Sequence, residues 1–313
     1  MSSYVLSEIS FPSADGRSTV HGAIYAPAAG EVRGVVQLSH GMVDHVGRYT
    51  ALAEFLTANG YVFAGNDHIG HGRTASNDGD FGYFADEGGV DLVLKDLHAM
   101  NKHLRAAYPG LPFVLMGHSM GSFLSRLYVE RHPHSITAHI IHGTGGPNPL
   151  LPFGKALVKW KTLFRGKKYR SKTLANLAFS GYNARFDKSE GRNAWLTRDG
   201  SMVNGRDDDK FTNFTFTISA YGDLFRMVGE SNSKAWFANY PKEIPTLVIS
   251  GGDDPVGSYG KGPDYVYKQL MVSGVSDVTL KLYEGARHEL FNETNRMEVF
   301  ADMLAWIEGG RGK

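Results

Sequence analysis

The sequence predicts an α/β chain: a mostly parallel central sheet flanked by helices, with one inserted cap region. Three observations predict it. Short apolar runs rich in Val, Ile, Leu and Phe alternate with segments whose apolar residues recur at helical spacing, the pattern of parallel strands buried on both faces. The alternation stops between residues 147 and 240, where the chain turns polar and basic, and then resumes. The length of 313 residues, with 42 % hydrophobic and 21 % charged residues, suits one large domain carrying an insertion. The core is therefore expected at 1–146 and 241–313, and the cap at 147–240.

Taken in order, residues 4–11 and 20–25 read as two strands joined by the turn "SADGRST". Residues 34–38 form a continuous apolar strand ending at His40-Gly41. Helical spacing over 48–59 stops at Gly60. "YVFAGND" is the next strand. Val90, Leu94, Leu97 and Leu104 lie on one face of a helix over 90–107, ended by Pro109-Gly110. "PFVLMG" is a strand, 122–131 a helix and "ITAHIIHG" another strand. After the insertion come the strand "PTLVISGG", a helix over 265–272, the strand "VTLKLY" and a last helix over 294–306.

Composition excludes several classes. The chain has 33 Lys and Arg against 32 Asp and Glu, a net charge of +1, which gives no global attraction to nucleic acid. It has no cysteine, so disulfides, thiolate metal sites and cysteine nucleophiles are excluded. The start "MSSYVLSEISF" lacks the basic-then-apolar pattern of a secretory signal, and no apolar run spans a membrane, so a cytoplasmic protein is expected. Charge is uneven, however. Residues 151–210 hold 14 basic and 6 acidic residues, a net of +8, against −7 elsewhere. "KWKTLFRGKKYR" mixes basic and aromatic residues as interfacial segments do, which suits a cap meeting a lipid surface or an anionic group.

The chemistry centres on "GHSMG", residues 117–121, between a predicted strand and a predicted helix. A serine in so tight a turn needs nearly side-chain-free neighbours two residues away on each side, which Gly117 and Gly121 supply. The turn would push the Ser119 hydroxyl out at the C-terminal edge of the sheet, where open α/β sheets bind ligands. Serine needs a histidine to take its proton and an acid to orient that histidine. Most of the 13 histidines fall on helices or within strands; His288, in "GARHELF" just after the last strand, falls at the same edge as Ser119. The acid is expected after the preceding strand, in "SGGDDPV", as Asp254 with Asp253 the alternative. The order Ser, Asp, His is that of α/β hydrolases. Oxyanion donors are expected from the Met120 N–H and from the Met42 N–H in "LSHGMVDHVGRY"; one such donor contributes about 2.7–4 kcal/mol in the transition state. This chemistry calls for no metal and no organic cofactor.

"SHGMVDHVGRY", "NDHIGHGRT", "GHSMGS", "GGDDPV" and "GARHELFNE" resemble the monoacylglycerol lipase and lysophospholipase branch of the serine α/β-hydrolases, which includes S33-type aminopeptidases. The resemblance runs over nearly the whole chain and is weakest in the insertion. It implies the α/β-hydrolase fold, a triad of Ser119, Asp254 and His288, oxyanion donors Met42 and Met120, and structural roles for His68 and His71. This chain departs from the family in having Ser122 for a third glycine, Val43-Asp44 for Gly-Glu, and "DDDKFTNFTF" in the insertion.

The expected activity is hydrolysis of a single-acyl-chain lipid ester, a monoacylglycerol or lysophospholipid, through an acyl-enzyme. Phe211, Phe214, Phe216, Tyr221 and Phe225 are the expected lining of an acyl tunnel. The alternatives are a short-chain or feruloyl-type carboxylesterase, an aminopeptidase using acidic groups such as residues 207–209 for the substrate ammonium, and a binding protein without turnover. "DGDFG" and "GSYGKG" lack the companions of kinase and phosphate-loop motifs and read as turns.

Overall fold

In a computed structural model describing residues 4–309, the eight apolar runs become eight strands of one sheet. They are β1 (Tyr4–Pro12), β2 (Thr19–Pro27), β3 (Gly34–Ser39), β4 (Tyr61–Asn66), β5 (Phe113–His118), β6 (Ala138–His142), β7 (Thr246–Gly251) and β8 (Val278–Tyr283), in the order β1-β2-β4-β3-β5-β6-β7-β8. β2 pairs antiparallel with β1 and β4, and every other pairing is parallel. Parallel register aligns the strand ends: Ser39 lies opposite Gly117, His118 is level with His142 and its neighbour Ile249, and Gly251 lies opposite Tyr283. The loops leaving β3, β5, β7 and β8 therefore open at one edge.

β3 to β7 are buried along their whole lengths, as near-continuous apolar strands require. Helices cover both faces. α1 (Thr50–Ala58) and α10 (Arg296–Ile307) enclose one cluster with Phe63, Met116 and Phe300. α2 (Gly89–Ala107), α3 (Met120–Arg131) and α9 (Lys261–Val272) enclose the other. Each fully buried large apolar side chain contributes about 1.5–3 kcal/mol.

The helix starts differ from the pattern-based expectation for local reasons. The stretch expected to begin α1 at residue 48 opens as a tighter 3-10 turn, Val46–Tyr49. α3 begins directly after Ser119, and α9 begins at Lys261, so that Pro263 falls in its first turn, where no N–H is needed.

Between β6 and β7 the chain makes five helices: α4 (Leu151–Arg165), α5 (Lys172–Phe179), α6 (Gly200–Asp208), α7 (Ile218–Ser231) and α8 (Lys234–Asn239). Four have side-chain caps, in which Ser171, Asp199, Thr217 and Ser233 each accept a first-turn N–H. α7 and α8 join the main apolar cluster through Ile218, Tyr221, Phe225, Trp236 and Phe237. No helix among the described residues is long and apolar enough to cross a membrane.

Candidate active site

Ser119 caps α3 with φ 54° and ψ −120°, a backbone conformation costing about 1–3 kcal/mol for a residue with a side chain. Its surroundings hold it there. Ser119 N donates to His142 O at 3.0 Å, and the Ser122 N and Oγ both donate to Ser119 O, at 2.8 and 2.6 Å. A methyl added at Gly117 would stand 2.2 Å from Ser125 Oγ, and one at Gly121 1.9 Å from Ser39 O. The steric reading of the two glycines thus has named obstacles. Ser119 is half-buried between the buried His118 and Met120, so it is the residue of this turn that reaches open space.

His288 follows β8 on a buried loop. Its Nδ1 donates to Asp254 Oδ2 at 3.0 Å, while its Nε2 has no hydrogen-bond partner. Asp254 is completely buried; its Oδ2 also accepts from Ser250 Oγ at 3.1 Å, and its Oδ1 accepts from Val256 N at 2.8 Å. Asp253 is exposed, and its backbone N–H bonds Ala286 O. Of the two acids considered, the fold brings Asp254 to the imidazole. Ser119 and His288 line the same cavity, of about 1050 Å³, together with Gly41, Met42 and Met120. The His-Gly loop approaches closely: a methyl at Gly41 would lie 3.3 Å from Ser119 Cβ.

The loop carrying Met42 is braced by histidines. His40 Nε2 accepts from His68 N at 2.9 Å and its Nδ1 donates to Gly41 O at 2.9 Å. His68 Nε2 lies 3.1 Å from Ser39 Oγ. Burial pushes His68 well below its ordinary value and His71 down to about 3, so both stay neutral supports.

Of the aromatic residues expected in an acyl tunnel, Phe214, Tyr221 and Phe225 line the cavity. Phe211 and Phe216 do not. Phe211 packs on His45 and Phe81, and Phe216 is fully buried against His71 and Phe84. Phe211, Phe214 and Phe216, three and two residues apart ahead of α7, face different ways, and spacing alone does not select among them. The wall is completed by groups whose positions carried no signal in the sequence: Leu151, Leu177, Leu224 and Val228 on the helices between β6 and β7, and Trp195, whose ring lies 5.1 Å from that of His288.

Sequence reading also missed a buried ionic cluster beside Ser119. Arg48 donates to Asp44 Oδ1 at 2.9 Å and to both Glu289 oxygens at 2.9 and 2.6 Å. Tyr49 OH donates to Asp44 Oδ2 at 2.7 Å and lies 2.9 Å from His118 Nδ1. Arg206, from α6, donates to Glu289 Oε1 at 3.2 Å and to Val43 O at 2.8 Å. Burial is the largest single influence and raises both carboxyls, but Arg48 and the other neighbouring groups together outweigh it. Asp44 is held well below the usual carboxylate range, and Glu289, with Arg206 adding to the effect, falls to about 2. The "GRY" and "HEL" triplets were visible, but their pairing across 241 positions was not.

The acidic run at 207–209 does not reach the cavity wall as far as it is described. Asp209 caps the following turn and bonds His45 Nε2 at 2.7 Å, and the side chain of Asp207 lies outside the described residues. Among the described residues, the cavity's carboxylates are Asp44 and Glu289, both tied to arginine.

The chain is similar to several known proteins. Residues 30–295 match the family described as serine aminopeptidase, S33. The chain is 28 % identical to a monoacylglycerol lipase of Mycolicibacterium smegmatis over 98 % of this chain and 99 % of that one. It is 27 % identical to human monoglyceride lipase, over 90 % and 85 %. Its fold matches the crystal structure of a thermostable carboxyl esterase from Bacillus coagulans in complex with glycerol, with TM-score 0.90 and 31 % identity over 97 % and 98 % of the two chains.

Proposed function

This chain belongs to the serine aminopeptidase S33 family of α/β hydrolases, and we propose that it hydrolyses single-acyl-chain lipid esters of the monoacylglycerol type through Ser119, Asp254 and His288. The observation that carries the reading is the His288 imidazole. Its Nδ1 is committed to buried Asp254, and its Nε2 is unpartnered in the cavity that Ser119 also lines. His288 takes the Ser119 proton as the hydroxyl oxygen attacks the ester carbonyl. The Met42 and Met120 N–H groups receive the oxyanion. His288 then protonates the departing alcohol, and water repeats the sequence on the acyl-enzyme. Asp254 keeps the proton on Nδ1 and stabilises the imidazolium.

The cap, residues 147–240, supplies the acyl wall. Phe225, Leu151, Leu224 and Val228 give an apolar surface, and a cavity of about 1050 Å³ has room for a long chain. Ester rather than peptide chemistry is favoured because Asp44 and Glu289 are already neutralised by arginine, which leaves neither carboxylate free for a substrate ammonium. α4 turns an apolar, basic face outward, with Leu163 76 % and Phe164 69 % exposed beside Lys159 and Lys161, suited to resting on a lipid surface.

A fluorophosphonate should label Ser119, and Ser119→Ala should abolish both labelling and turnover. Across a series of p-nitrophenyl esters and monoglycerides, kcat/KM should rise with acyl length beyond butyrate. A maximum at acetate with no activity past butyrate would instead identify a short-chain carboxylesterase.

A further inference from the structure

Val43 carries a branched side chain at φ 53°, in the left-handed region such residues avoid. It directly follows Met42 in the loop that faces Ser119. The peptides around Met42 are anchored on both sides. Gly41 N donates to Asp44 Oδ2 at 3.3 Å, and Val43 O accepts from Arg206 Nη2 at 2.8 Å. Arg206 comes from the cap, 163 positions away, and its other terminal nitrogen reaches Glu289, the residue after His288. Its side chain is 9 % exposed and Glu289's is 5 %. One guanidinium fork therefore joins three separately positioned segments: the cap helix, the Met42 loop and the His288 loop. Asp209, just past the end of α6, adds a second tie to the same loop through His45 at 2.7 Å.

We propose that Arg206 is a positioning residue, through which the seating of the cap holds the strained Val43 peptide and so sets the Met42 N–H where the oxyanion forms. Arg206 also lines the cavity, but its two terminal nitrogens are engaged by the Glu289 carboxylate and the Val43 carbonyl. Its effect is transmitted by a backbone carbonyl and by the carboxylate next to His288. A planar fork can bridge a carbonyl and a carboxylate at once, which the single ammonium of lysine does not reproduce. The proposal rests on the ester-hydrolase reading and adds to it a dependence of the oxyanion site on the cap.

The test uses the full-length protein and p-nitrophenyl acetate, whose acyl group is too short to need the cap's apolar wall. Arg206→Gln should lower kcat by about tenfold or more, less than deleting a direct oxyanion donor, with KM within about twofold of wild type. Low-millimolar guanidinium chloride should restore part of kcat, while equal sodium chloride should not. In a Val43→Gly background, where the left-handed backbone carries no side-chain penalty, the loss on Arg206→Gln should shrink to about a third or less. Arg206→Lys, which keeps a cation in place, should lose kcat as Arg206→Gln does, and the guanidinium rescue separates that loss from poor folding. Unchanged kcat in Arg206→Gln, full activity in Arg206→Lys, or an undiminished loss with Gly at position 43 would each overturn the proposal. Wild-type protein that neither cleaves p-nitrophenyl acetate nor accepts a fluorophosphonate would overturn the esterase reading as well.

Discussion

Asp253 and Asp254 are neighbours in the chain and opposites in the fold. Asp253 faces solvent, whereas Asp254 is fully buried with its carboxylate shared among Ser250, Val256 and His288. Asp254→Asn should lower kcat by about 10⁴ by favouring the wrong imidazole tautomer, while Asp253→Asn should stay within about twofold of wild type. Steady-state kinetics on one soluble ester compare the two, and equal losses would contradict the assignment. At this scale the glycines flanking Ser119 were legible, because their obstacles, Ser39 O and Ser125 Oγ, belong to the strand-turn-helix unit and its adjacent strand. The Arg48–Glu289 and Arg206–Glu289 pairs were not, because nothing local distinguishes an arginine that will be buried from one that will be solvated.

Among the elements, the strands were read most completely. The fully buried runs of β3 to β7 have one economical fate in an α/β chain, and the three less buried runs, β1, β2 and β8, extend the same sheet. The cap helices were not read individually. α4 shows why: Leu157 and Val158 pack inward while Phe153, Trp160, Leu163 and Phe164 point outward, so its apolar residues do not trace one stripe. That outer face makes a prediction at the scale of the helix. Replacing Trp160, Leu163 and Phe164 together by Ser should weaken binding to anionic vesicles by about tenfold or more, since each apolar side chain contributes up to about 1.5–3 kcal/mol when buried. Turnover of a soluble short ester should not change. Vesicle co-sedimentation measures the first effect, and undiminished binding would show that another surface meets the lipid.

For the molecule as a whole, the buried histidines and Glu289 make stability rise with pH, while Asp223, raised by burial to about 6, opposes them in part. Burial lowers His40, His68, His118 and His142, and brings His71 and His139 to about 3. Below the ordinary histidine value of 6.5 the unfolded chain binds protons that these folded sites refuse, so stability falls as pH drops from 6.5 toward 3. Glu289, lowered from 4.5 to about 2, contributes stability that is present above 4.5 and lost as pH falls toward 2. Both effects act in the same sense. The urea midpoint should therefore drop between about pH 7.5 and about pH 5, with proton uptake on unfolding; a flat midpoint over that range would exclude the histidine contribution.

By itself the sequence determined the strands and core helices in their order along the chain, and a serine, a histidine and an adjacent pair of acids all ending at one sheet edge. These follow from side-chain periodicity, backbone sterics at glycine and the common direction of parallel strands, which act over a few residues or are imposed by the sheet. Tertiary structure alone decided which acid meets His288, which cap aromatics face the cavity, and that Arg206 joins the cap to the Met42 loop. Those outcomes depend on distances between segments 34 to 241 positions apart, and such distances exist only once helices and loops have packed against the sheet.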